Sequence, residues 1–270
     1  YEVPVLAIIG VCFVAATIGI FDDISVLRRR EKAALVIFAS LPLIIAHQLT
    51  RPEILLPFGN SILFNDVWAV YLLYWLVLVP IGISGAANAI NLSAGYNGLE
   101  SGEIAVVSLF LILIAFALEA THPVETVLTE HTVIILTALL GSSLALYTFN
   151  RTPAKVFVGD TGTLGMGAVI GAAVILGNIQ FYGIICILPA FYEMAATVYY
   201  SAKGVERRDA CMNPVIREDG RLEPPKGAER YTLAYLILSR RPMTERRLVQ
   251  VILGLYAISG LAAFLLALLG

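Results

Sequence analysis

Three short stretches of this chain carry side chains that can handle a phosphate and a divalent cation. Asp22 and Asp23 sit side by side in FDDISVLRRREK (21–32), which ends on Lys32. Asn88, Asn91 and Asn97 fall in NAINLSAGYNGLESGE (88–103). Lys155, Phe157 and Asp160 fall in FNRTPAKVFVGDTGT (149–163). Carboxylate and amide oxygens are hard donors, and Mg2+ takes one or two of them together with substrate phosphates. Around Asp160 a carboxylate, a glycine, an ammonium and an aromatic ring occur together, which suits a nucleotide phosphate held through a divalent ion.

Each stretch also has a simpler structural use. Two aspartates closing a hydrophobic helix stand where the macrodipole disfavours negative charge, and the basic residues of 28–32 could offset them. Asp160 ahead of a helix would serve as its N-cap. Gly167 and Gly171 form a small-xxx-small pair suited to helix packing. Asn88 and Asn91, three apart, share a helix face, and Asn97 suits the turn-like AGYNG by conformation alone. DTGT (160–163) resembles an aspartic-protease loop, but no second such loop exists and the aspartates fall at the ends of hydrophobic runs, among lysines.

The elements that must position these residues are membrane helices. The 270 residues are 59% hydrophobic and 14% charged, with a mean hydropathy of +0.83, against about 45–50% and 25% in soluble domains. A span needs about 20 mainly apolar residues. Eight segments qualify or nearly do: 3–21, 33–49, 67–90, 104–118, 132–149, 161–176, 181–202 and 248–269. The expectation is therefore an all-α, polytopic transmembrane bundle forming one catalytic domain over 1–270, with a long loop at 203–247. That loop contains RYTLAYLILS (230–239), readable as a strand or an interfacial helix, and Pro242 and Thr244 mark the start of the last span.

Alternating loops place seventeen of the eighteen Lys and Arg residues on one face and only Arg51 on the other. By the positive-inside rule the basic face is cytoplasmic. All the polar clusters lie on that face. His47, His122 and His131 map to the outer half and read as structural, and no His–Cys cluster suits zinc. Cys12, Cys186 and Cys211 have neither metal-ligand spacing nor a disulfide framework. The chain starts at Tyr1 without a basic n-region or cleavage site, so a signal peptide is not expected, and the sequence reads as beginning partway through a longer protein.

With these residues assembled, the chain resembles the polyprenyl-phosphate N-acetylhexosamine-1-phosphate transferases, and within them the dolichyl-phosphate N-acetylglucosaminephosphotransferase branch. The resemblance rests on the three motifs, in order, spacing and membrane side, and runs from residue 21 to the final span. It implies transfer of GlcNAc-1-phosphate from UDP-GlcNAc to a membrane polyprenyl or dolichyl phosphate, with release of UMP, as the first step of N-glycan assembly. It further implies that Asp22, Asp23, Lys32 and Asp160 are catalytic and that Asn91 and Asp160 ligate Mg2+, or Mn2+ in its place. Asn97 would contact the uracil and Phe157 would stack on it. Asn88 and Lys155 join the substrate-binding set by position, and Arg207 and Arg208 by proximity in the long loop.

The departures also carry information. Ala94-Gly95 stands where bacterial relatives have Asp-Gly. No His occurs in 203–247, which argues against muramoyl-pentapeptide transfer. The Arg-His-Arg cluster of the dolichol branch is matched only loosely by VERRDACMNPVIREDGRLEPP. The family has two helices ahead of the first span here, so these 270 residues alone are expected to lack full activity. No nucleic-acid partner is expected; membrane lipids are, and a homodimer is compatible. An archaeal cell membrane is favoured over the endoplasmic reticulum by the compact loops. The rival from another class is a secondary transporter, which would carry its polar groups near the midplane and show internal repeats.

Overall fold

The structure, a computed structural model, describes residues 2–25, 27–49, 51–121, 129–205, 214–228 and 232–269. Among them six helices are long and apolar enough to cross a membrane. The first is α1 (Glu2–Ser25). The next begins as α2 (Arg29–Leu35), a short helix with no such length, followed by α3 (Leu41–Ile45). A hairpin of β1 (Glu53–Leu55) and β2 (Ser61–Leu63) leads to α4 (Trp68–Leu73) and α5 (Val79–Ser93). Long helices α6 (Leu99–Thr121), α7 (Thr129–Asn150) and α8 (Gly159–Leu176) follow. Then come α9 (Gln180–Cys186), α10 (Leu188–Ala202), a small hairpin of β3 (Val215–Ile216) and β4 (Leu222–Glu223), α11 (Leu233–Leu238) and α12 (Glu245–Ala267).

Two of the eight expected spans are not regular helices, and proline accounts for both. Segment 33–49 breaks into α2, a 3-10 stretch (Val36–Ser40), α3 and a second 3-10 turn (His47–Leu49). Pro42, at the start of α3, has no N–H to offer the preceding turn. Segment 181–202 is α9 and α10, bent by 74° where Ile187 leaves helical geometry just before Pro189. Counting that pair as one span gives seven. A milder irregularity, the π-helical turn Tyr74–Leu78, lies immediately before Pro80 and widens the span Trp68–Ser93 locally.

The broken segment still runs the length of the bundle. Lys32 lies at the first turn of α8, while the Leu55 N–H donates to the Asn178 carbonyl, just past the end of α8 (3.1 Å). Between those points α8 rises about 27 Å.

Buried α8 is the axis of the fold and packs on α1 and α5 through small residues. A Cβ on Gly167 would lie 2.8 Å from the Ala87 Cα, and one on Gly171 would lie 2.9 Å from the Ile83 Cα. A Cβ on Gly19 of α1 would sit 2.5 Å from the Thr161 backbone. With lipid outside, close backbone approach replaces hydrophobic exclusion as the source of helix affinity. Leu6, Phe13 and Ile20 face outward from α1, as a lipid-facing stripe requires.

Candidate active site

The polar residues of three helix ends meet at the N-terminus of α8. Asp23, in the last turns of α1, accepts three hydrogen bonds from α8. Its Oδ1 takes the Asp160 N–H (3.0 Å), and its Oδ2 takes the Thr161 N–H (3.1 Å) and hydroxyl (2.7 Å). The cap expected of Asp160 is therefore supplied by another helix. Val158 is the N-cap residue by position and makes no side-chain capping bond, while Asp160 lies inside the first turn. The charge that α1's own dipole disfavours is placed at the positive end of α8. Gly159 has φ +65°, and a Cβ there would press within 3.0 Å of the Asp23 Oδ2. Only glycine meets both demands.

The neighbouring carboxylate turns elsewhere. Asp22 accepts the Leu27 N–H through Oδ1 (2.6 Å) and pairs through Oδ2 with the Lys32 ammonium (2.9 Å). The same ammonium lies 2.7 Å from the Asp160 Oδ2. The Asp160 Oδ1 accepts from the Asn91 side-chain amide, which also donates to the Thr163 hydroxyl (2.8 Å). Four of the residues singled out in the sequence thus form one connected chain: Asp22, Lys32, Asp160 and Asn91. The side chain of Asp160 is the most accessible of the ion-paired three, 29% exposed against 14% for Lys32 and 10% for Asp22.

Asn88 shares the Asn91 face of α5, yet its amide donates back along its own helix to the Ser84 carbonyl (2.8 Å) and hydroxyl (3.2 Å). It shapes the α5 surface beside the cluster.

A second group lies at the same end of the bundle. Asn97 donates both its backbone N–H (2.9 Å) and its side-chain amide (3.3 Å) to the carboxylate of Glu245, the first residue of α12. Buried Asn150, closing α7, accepts from the Gly98 N–H (3.1 Å) and the Ser101 hydroxyl (2.9 Å), and donates to the Val156 carbonyl (3.0 Å). One side chain therefore ties the loop of Asn97 to the loop of Phe157, whose ring is 78% exposed. Lys155 is exposed on that loop, which its N–H anchors to the Phe149 carbonyl (2.7 Å). Arg207 and Arg208 lie outside the described residues.

Beside the C-terminal end of α5 a cavity of about 350 Å³ opens among Ser93, Tyr96, Glu193, Glu245 and Tyr256. The described part of the 230–239 stretch, residues 232–239, is helical over Leu233–Leu238: Thr232 accepts the Tyr235 N–H as N-cap (3.1 Å), and Glu193 of α10 accepts the Leu233 N–H (2.6 Å). Thr244 is the N-cap position of α12, as its place after Pro242 predicts.

Sequence reasoning missed Thr161, Thr163, Asn150 and Glu245 as site residues. Both threonines stood inside the quoted DTGT, but hydroxyls at a helix start carry no signal of which neighbour they meet. Asn150 stood inside the quoted 149–163 stretch and Glu245 beside Thr244, read only as a helix boundary, but their partners are 52 and 148 positions away.

The donor set fits a divalent cation. Asp22 and Asp160 share one ammonium while Asp23 bonds the start of α8, so three carboxylates stand near a single ammonium, a formal surplus of negative charge that would repel a diphosphate unless a cation were added. Asp160 offers carboxylate oxygens, and a half-turn of the Asn91 amide, whose NH2 now meets Asp160, would set its carbonyl oxygen beside them; both are the donor type Mg2+ prefers. Among the described residues no three His, Cys, Asp or Glu side chains form a metal-binding group, so such an ion would depend on substrate oxygens as well.

The chain is similar to known proteins. The family described as glycosyl transferase family 4 matches residues 5–178. A protein of Methanocaldococcus jannaschii, named provisionally as a glycosyltransferase, is 31% identical over 94% of this chain and 74% of its own. One from Saccharolobus solfataricus carries the provisional name UDP-N-acetylglucosamine–dolichyl-phosphate N-acetylglucosaminephosphotransferase. It is 28% identical over 96% of this chain and 74% of its own. The phospho-N-acetylmuramoyl-pentapeptide-transferase of Chlamydia muridarum is 31% identical over 52% of this chain and 40% of its own.

Proposed function

The chain belongs to glycosyl transferase family 4, and on that premise we propose that it transfers GlcNAc-1-phosphate from UDP-GlcNAc to a membrane polyprenyl or dolichyl phosphate. UMP is released, and the product is the lipid-linked sugar pyrophosphate that starts N-glycan assembly. The observation that carries this reading is the Lys32 ammonium held between Asp22 and Asp160, with Asn91 on the same Asp160 carboxylate.

The difficulty in this reaction is to bring an anionic nucleophile to an anionic diphosphate, which requires charge neutralisation and alignment. Lys32 supplies a fixed positive charge for the transferring phosphoryl group, and Asp22 holds that ammonium in place. Asp23 fixes the first turn of α8 and with it the direction of Asp160. Asn91 and Asp160 would hold Mg2+, which when bound would act as a Lewis acid on the donor phosphates. An oxygen of the lipid phosphate attacks the β-phosphorus, the bond from that phosphorus to the bridging oxygen breaks, and UMP leaves. An ionised phosphate needs no strong base, so Asp22 and Asp23 serve the geometry first.

Asn97 and Phe157 are assigned to the uracil, and Lys155, Asn88 and the 203–247 loop with Arg207 and Arg208 to the rest of the donor. The positive-inside bias puts the site on the cytoplasmic face, with an archaeal cell membrane as the setting. A transporter would carry its polar groups near the midplane; the ion-paired cluster here stands at helix ends. The deciding assay is transfer of radiolabel from UDP-GlcNAc to dolichyl phosphate by the full-length protein in detergent, with and without Mg2+. Lipid-soluble label and UMP in equal amounts are expected, and their absence at every metal concentration refutes the reading.

A further inference from the structure

We propose that Glu245 is a positioning residue that makes Asn97 selective for uracil over cytosine. The inference rests on the transferase reading above and extends it to a residue on α12 that belongs to none of the three polar motifs.

Glu245 ends in a carboxylate. When ionised it accepts hydrogen bonds and donates none. Both Glu245 oxygens are engaged by Asn97, Oε1 by the backbone N–H at 2.9 Å and Oε2 by the side-chain amide at 3.3 Å. The nitrogen and oxygen of an Asn amide are ordinarily interchangeable by a half-turn. Here a half-turn would set the Asn97 carbonyl against a carboxylate oxygen, so the amide is held in one sense. Its NH2 is committed to α12, and its carbonyl is directed away from Glu245.

The loop that carries Asn97 lies against the loop that carries Phe157 in two ways. Buried Asn150 bonds to both Gly98 and Val156. Gly98, at φ +88°, lies so close to the next loop that a Cβ would fall 3.0 Å from the Arg151 Cα. Glu245 is itself fixed as the first residue of α12. A part-exposed amide of fixed sense thus stands on one of two abutting loops and Phe157, 78% exposed, on the other, and together they could supply what a planar base requires: a face to stack on and an edge to read.

Uracil presents a ring N–H flanked by two carbonyls. Neutral cytosine has a bare ring nitrogen in that place. A fixed carbonyl acceptor pairs with the first and opposes the lone pair of the second. An amide free to turn would offer its NH2 to cytosine and discriminate poorly. Selectivity therefore belongs to the pair, with Asn97 touching the base and Glu245 setting its sense.

The test is the ratio of UMP to CMP affinity, measured by calorimetry on the protein in detergent. Wild-type protein should prefer UMP by about 100-fold or more, since a site built for a donor rejects the analogue lacking it. In Glu245→Gln the Gln carbonyl accepts the Asn97 backbone N–H and its NH2 faces the Asn97 side chain, which turns the Asn97 carbonyl inward and its NH2 toward the base, so the preference should fall below about 10-fold with UMP still bound. The double variant Asn97→Asp with Glu245→Gln should restore it. In that pair the Gln carbonyl accepts the backbone N–H, its amide donates to the new carboxylate, and one carboxylate oxygen is left for the base. A loss of stability alone would weaken both nucleotides equally and leave the ratio unmoved. An unchanged ratio in Glu245→Gln, or no recovery in the double variant, overturns the inference while leaving the transferase reading intact. Wild-type protein that binds neither nucleotide overturns both.

Discussion

Asp23 and Thr161 are joined twice, through the backbone N–H and the hydroxyl of the threonine, so the end of α1 closes the start of α8. The catalytic carboxylate proposed at Asp160 is one residue away and donates its own N–H to the same aspartate. The position of Asp160 is therefore set by a side chain that need not touch substrate.

Replacing Asp23 by Ala should cost about 1 kcal/mol or somewhat more, the usual loss for an N-cap, read as a lower midpoint of thermal unfolding in detergent. Asp23→Asn keeps one acceptor and should lose less. If Asp23 positions rather than reacts, Thr161→Ala should lower kcat in the same direction by a smaller factor. A Thr161→Ala variant with untouched kcat beside an inactive Asp23→Asn would point to proton transfer instead.

Asp160→Asn should leave a folded protein whose transfer rate is lower by about 100-fold or more, the scale expected when an electrostatic contact to the reacting group is lost. Binding of Mn2+, followed by its paramagnetic effect on water relaxation, should weaken in parallel. Full Mn2+ affinity in the variant would remove Asp160 from the metal assignment.

Lys32→Met leaves Asp22 and Asp160 facing each other with no cation between them. Removing one member of a partly buried pair costs more than the pair contributed, so both stability and rate should fall. Lys32→Met combined with Asp22→Asn should recover stability and leave the rate low. Recovery of the rate as well would show that the ammonium is structural only.

Chelation by EDTA should abolish transfer, and added Mg2+ should restore it, with Mn2+ as a partial substitute. Transfer that persists through chelation of the purified protein would exclude the cation from the reaction.

Gly167→Leu and Gly171→Leu put side chains where the α5 backbone lies, 2.8 Å from the Ala87 Cα and 2.9 Å from the Ile83 Cα at the Cβ alone. Overpacking of this kind costs about 1–3 kcal/mol or more. The thermal midpoint should fall, and transfer with it, because Asn91 and Asp160 stand on the two helices forced apart. Gly254→Leu on α12, where nothing lies within 4 Å of the Cβ, should change neither.

Composition and charge asymmetry by themselves determined that this chain is a bundle of membrane helices with its polar clusters gathered at one end. Both signals are sums over many residues, and lipid allows few ways to satisfy them. The three motifs also named Asp22, Lys32, Asn91 and Asp160, which the structure brings into one connected set. Sequence could not determine which aspartate does what. Asp22 and Asp23 are chemically identical neighbours, but successive helix positions point about 100° apart. The crossing of α1 over α8 sends one to an ammonium and the other to a helix N-terminus. The same holds for Glu245, whose meaning depends on a partner 148 residues earlier in the chain. The break of segment 33–49 and the bend at Ile187 were equally out of reach, since hydropathy counts apolar residues while proline decides where the backbone can bond.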